Sequence, residues 1–178
     1  VLIRLPFLSH PNESIFDEHY WRITTSSVHN ANPFFDVHPP LSTLIWESVV
    51  HNKNFSLIKH GGNKIRVPFN DFPYYNLRFL MVILGSLLPA IIFLIVRLFY
   101  IETSLAILPA IFITFDNALI IYSRNILPDT MLLFFGFLGF AFWLLSKQIK
   151  KNYISWIVFF LATILFGAAV SIKWTGLG

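Results

Sequence analysis

The chain of 178 residues is 56% hydrophobic and only 12% charged, with a mean hydropathy of +0.66, a balance too apolar for a soluble domain and expected of a membrane protein. It has no cysteine, which excludes disulfide scaffolds, thiolate metal sites and thiol nucleophiles. The formal charge of +4 comes from 13 Lys and Arg scattered against 9 acids, so there is no basic stripe suited to a nucleic acid.

In chain order, residues 1–8 are apolar but lack the basic start, long apolar core and cleavage site of a signal peptide. They read as the end of a truncated first membrane helix. Residues 9–76 hold most of the His, Pro and acidic residues and no apolar run near the ~20 residues that a bilayer demands. They are expected to form a large extramembrane loop. Within it, Pro39-Pro40 before Leu41-Ser42-Thr43-Leu44-Ile45-Trp46 reads as the start of an interfacial helix with one apolar face. Gly61-Gly62-Asn63-Lys64 reads as a turn.

Residues 77–178 predict about four transmembrane helices, at 79–99, 105–122, 130–145 and 154–172. Pro89 is expected to kink the first. Asp116-Asn117 interrupts the second and is expected to face protein or water, because such groups are costly in hydrocarbon. Trp143 and Trp156 sit where interface anchors belong. The Lys147-Gln148-Ile149-Lys150-Lys151 cluster between the last two helices predicts a cytoplasmic loop, which puts residues 9–76 on the extracytoplasmic or luminal side. The sequons at Asn12 and Asn54 agree with that side but are common by chance.

That topology gathers Asp17-Glu18, His38, Arg78, Arg124, Asp129 and Lys173 on one aqueous side. Each has an ordinary explanation: an arginine at a helix end snorkels to water, and Asp129 after Pro128 suits a helix N-terminus. His10, His29, His51 and His60 have no metal-ligand spacing. Phe34-Phe35-Asp36-Val37-His38-Pro39-Pro40-Leu41 is more specific, since two prolines fix the backbone after an acid and an imidazole.

In order, Arg4, Asp17-Glu18, Phe35-Asp36-Val37-His38-Pro39-Pro40-Leu41, Arg78, Asp116-Asn117, Ser123-Arg124, Leu127-Pro128-Asp129 and Lys173-Trp174-Thr175-Gly176 resemble the protein O-mannosyltransferase family along nearly the whole chain. The resemblance implies an all-α polytopic membrane protein of the C-type glycosyltransferase fold with a large first extracytoplasmic loop. It implies an enzyme that moves mannose, with inversion, from a polyprenyl-phosphate carrier to Ser or Thr hydroxyls of proteins. Asp17 then becomes the candidate base and Glu18 a supporting acid. Arg4 and Arg78, with Arg124, Asp129 and Lys173 behind them, become candidates for binding the substrate or its lipid phosphate, and His38, in the same set, shapes the loop. Ser42-Thr43 departs from the Gly-Lys that often follows the His-Pro-Pro-Leu run.

The implied partners are the lipid-linked sugar donor, a protein acceptor, the bilayer and an oligomeric assembly. The implied membrane is the endoplasmic reticulum or a prokaryotic plasma membrane. No cofactor beyond the donor is implied, and a divalent metal is left open. A related transferase with a lipid or glycan acceptor is the alternative, with a transporter further behind.

Overall fold

The computed structural model describes residues 3–33, 35–58 and 66–177. The turn expected at 61–64, His60 and Phe34 lie outside the described residues. Among the described residues seven α-helices follow in order: α1 Glu18–His29, α2 Leu41–Val50, α3 Tyr74–Leu98, α4 Thr103–Phe115, α5 Asn117–Tyr122, α6 Pro128–Gln148 and α7 Asn152–Val170. A short 3₁₀ helix, Trp174–Leu177, closes the series. Among the described residues the one β pairing is an isolated antiparallel bridge between Glu13 and Pro68.

Among the described residues three helices, α3, α6 and α7, are long and apolar enough to cross a membrane, and the chain is an integral membrane protein. Pro89 lies inside α3 without ending it. Where one span was expected over 105–122, the chain builds two helices. Asp116 is extended (φ −63°, ψ 120°), and its Oδ1 accepts the Leu119 N–H at 2.8 Å, so the carboxylate starts a new helix instead of sitting inside an old one. In place of the helix end expected at 1–8, described residues 3–9 run as turns. Their carbonyls are turned toward arginines: Pro6 accepts from Arg124 (2.8 Å) and Leu8 from Arg78 (3.3 Å).

The extramembrane segment carries α1, which the sequence pattern did not announce, and the anticipated α2. It forms a cap on one end of the spans. Trp46 of α2 is fully buried and meets Trp21 of α1 edge-on at 5.4 Å. Phe55 meets Phe72 at 5.3 Å, and Phe69 stacks on Tyr74 at the start of α3 (4.3 Å). This aromatic core continues without a break into Leu77 and Met81 of α3, Met131 of α6 and Ile172. At the far end, Gln148 donates to the Leu98 carbonyl, tying the end of α6 to the end of α3. The starts of α3 and α6 and the end of α7 therefore share the cap side.

Candidate active site

Asp17 is the N-cap residue of α1, yet its carboxylate makes no capping bond; the side chain is exposed and carries no partner among the described residues. Phe16, just before it, is held in the left-handed region at φ 50°, an uncommon conformation for a bulky residue that aims the chain into the helix.

Glu18, next in sequence, is the opposite. It is fully buried, and its two oxygens take four bonds. Oε1 accepts from Arg78 Nε (2.9 Å) and the Ile126 amide (2.9 Å); Oε2 accepts from Arg78 Nη2 (2.8 Å) and the Ile15 amide (3.1 Å). Arg78, at 1% exposure, spends its other N–H groups on the carbonyls of Leu8 (3.3 Å), Pro11 (2.9 Å) and Glu13 (3.4 Å). A guanidinium has five N–H donors, and all are engaged. The guanidinium also lies 5.1 Å from the ring centres of both Phe69 and Tyr74. The lipid-phosphate role expected of Arg78 and the substrate-orienting role expected of Glu18 therefore find no free donor or open face in this arrangement. The two form a buried, bidentate pair that ties α1, α3 and the α5–α6 turn together.

Arg4 is likewise buried, and its Nε donates to Ser123 Oγ at 2.9 Å. Gly85 of α3 permits this junction: a Cβ there would sit 2.3 Å from Ser123 Cβ. Arg124 is half-buried and among the described residues commits one bond, to Pro6, leaving donors for a ligand. Lys173 and Asp129 are paired at 2.9 Å with 26% and 32% of their side chains exposed.

His38 lies in a turn fixed by Asp36, whose Oδ1 accepts both the His38 amide (2.8 Å) and the Tyr20 hydroxyl (2.6 Å). Burial and the Asp36 carboxylate push the Tyr20 hydroxyl pKa upward, so it stays a donor. The His38 ring packs 5.5 Å from Trp21. Trp174 Nε1 donates to the Val37 carbonyl (2.8 Å), and the Leu41 amide donates to Ser171 (3.0 Å), so the end of α7 holds the same turn. Tyr20, Asp36 and Trp174 are residues that sequence reasoning did not assign to the site. So is Arg22, buried on α1 and bonded to the carbonyls of Val67 and Pro68 at 3.2 and 2.9 Å. Its place one helical turn after Glu18 was the available signal. Among the described residues no group of His or acidic side chains has the arrangement of a metal site.

The fold and this site define a polytopic, all-helical membrane protein with an acidic site on a polar cap beside the bilayer. The dolichyl-phosphate-mannose-protein mannosyltransferase family model matches residues 1–177, and the chain belongs to that family. Dolichyl-phosphate-mannose–protein mannosyltransferase 1 of Saccharomyces cerevisiae is 29% identical over 99% of this chain and 22% of its own length. Protein O-mannosyltransferase 1 of Drosophila melanogaster is 32% identical over 95% of this chain and 19% of its own. A chain of the S. cerevisiae protein O-mannosyltransferase Pmt1–Pmt2 complex bound to the sugar donor has the same fold. Its TM-score is 0.86 at 27% identity, over 99% of this chain and 24% of that one. The chain thus spans about a fifth to a quarter of the relatives it matches.

Proposed function

We propose that the protein containing this chain transfers mannose from a polyprenyl-phosphate carrier to Ser or Thr hydroxyls of proteins, with Asp17 as the base. The observation that carries the reading is the contrast between adjacent acids. Glu18 is immobilised by four bonds, while Asp17, one peptide bond away, presents an exposed carboxylate with no partner among the described residues. The acceptor hydroxyl attacks the anomeric carbon, its proton passes to the Asp17 carboxylate, and the polyprenyl phosphate leaves from the opposite face, which inverts the centre. An exposed carboxylate accepts that proton late in the step, as the attacking oxygen becomes acidic.

The departing phosphate gains charge that cationic donors at the membrane edge meet best. Arg124, with free N–H groups, and Lys173, once exchanged from Asp129, are the candidates. Arg78 and Glu18 act as the frame that sets where Asp17 stands. The family relationship supports a luminal or extracytoplasmic cap, in the endoplasmic reticulum or a prokaryotic plasma membrane. The paired subunits of the solved relative support an oligomeric assembly.

The test is mannose transfer from polyprenyl-phosphate mannose to a Ser/Thr peptide, in membranes expressing the full-length protein. Asp17→Asn should lower turnover by at least ~10²-fold, the low end for removal of a general base, with unchanged membrane insertion. Transfer within a few-fold of wild type in that variant would overturn the assignment.

A further inference from the structure

The end of the molecule opposite the cap carries a site that the transfer reaction does not use. Between the last turn of α6 and the first turns of α7 lies a cavity of about 180 Å³ lined by Ser146, Lys147, Ser155, Trp156 and Phe159. Its two hydroxyl hydrogens are committed within the protein: Ser146 donates to the Trp143 carbonyl and Ser155 to the Ser146 carbonyl, both at 2.7 Å. Their oxygens remain as acceptors. The charged side chain of the lining is Lys147, whose ammonium lies 5.7 Å from the Trp143 ring centre and 6.0 Å from that of Phe159. Two aromatic faces thus hold the ammonium over the cavity while leaving its N–H donors unspent.

The charge on this hairpin is one-sided. Lys150 and Lys151 complete the loop, and residues 130–178 contain no Asp or Glu at all. Asp129, the last acid, sits at the opposite end of α6 and is paired with Lys173. Among the described residues Lys147 has no carboxylate partner. Trp156, 70% exposed beside the cavity, stands where aromatic rings meet headgroups. A small polar recess between two membrane helices, with one cation at its rim and no acid among its lining residues, complements a lipid phosphate.

We propose that this recess seats the headgroup of an anionic glycerophospholipid from the leaflet opposite the cap. Its phosphate is held by Lys147, and a headgroup hydroxyl donates to Ser146 or Ser155, while its acyl chains run along the exposed α7 surface at Phe160 and Ile164. Lys150 and Lys151 raise the local concentration of anionic lipid without touching the bound molecule.

The experiment is native mass spectrometry of the full-length protein in detergent, titrated with phosphatidylglycerol or phosphatidylcholine. Wild type should retain phosphatidylglycerol preferentially. Lys147→Ala should weaken that retention about tenfold, as expected for one charge-assisted bond, and Lys147→Arg should restore most of it. The Lys150→Ala/Lys151→Ala double variant should retain phosphatidylglycerol within about threefold of wild type, since those charges act only through the screened surface field. Equal retention of the two lipids by wild type overturns the proposal. So does an unchanged preference in a folded Lys147→Ala, or a loss in the double variant as large as in Lys147→Ala, which would make the effect diffuse loop charge.

Discussion

The cap and the α6–α7 hairpin solve the problem of holding together in opposite ways. The cap is fastened by bonds between residues far apart in sequence: Glu18 to Arg78 and to Ile126, Arg4 to Ser123, Trp174 to Val37. The hairpin is fastened by close approach of apolar helices. At Gly139 an added Cβ would lie 3.2 Å from the Phe166 ring and 3.3 Å from Leu165 Cβ, so glycine lets the two backbones draw together. Its outer face shows Trp156, Ile157, Phe160 and Ile164, each more than half exposed, to lipid. In water a buried ion pair is stable only if every donor and acceptor is met. In lipid the helices satisfy their own backbones and need little else. The polar cap therefore has few points of failure, each severe, and the hairpin has many mild ones.

That contrast breaks most sharply at Arg78. Arg78→Met leaves the Glu18 carboxylate buried without its counter-ion, which should cost about 3–5 kcal/mol, read as a large fall in the thermal midpoint of the purified full-length protein. Arg78→Lys keeps the charge but not the fork, and should recover only part of the loss. A variant that melts like wild type would mean that the cap does not depend on this pair.

The Asp129–Lys173 pair should matter far less. Both side chains are partly exposed, so Lys173→Met should shift stability by about 1 kcal/mol or less, and raising the salt concentration should shrink the difference. A loss comparable to that of Arg78→Met would place this pair with the cap's structural core.

The smallest effect should lie at the exposed edge of the cap. Asp71 accepts the Ser56 amide (2.9 Å) and hydroxyl (3.0 Å), which hold its carboxyl pKa below the ordinary 3.8. A depressed folded pKa stabilises the fold above the ordinary value, and the contribution is lost as pH falls through the depressed one. Asp71→Asn should therefore narrow its stability gap to wild type as acidity increases below about pH 4. A gap that widens on acidification would reverse that sign.

The sequence made the membrane class and the approximate places of α3, α6 and α7 legible, because a run of apolar residues long enough to cross a bilayer has few other uses. It also carried the order of motifs that marks the family, and it brought Asp17, Arg78 and Lys173 to one side of the membrane. It did not announce α1, whose polar and β-branched residues, Thr24 through Ser27, are buried at a tertiary contact that local pattern does not encode. Nor did it divide 105–122, where Asp116 acts as a cap that only its backbone geometry reveals.

Above all, sequence could name Asp17-Glu18 and Arg78 but not distribute their work. Two adjacent acids are chemically alike until one is buried. The partner sixty residues away and the amide of Ile126 decided that Glu18 is fixed, while Asp17 stays exposed, because the properties of a carboxylate follow from its solvent exposure and hydrogen bonds, and those belong to the tertiary structure.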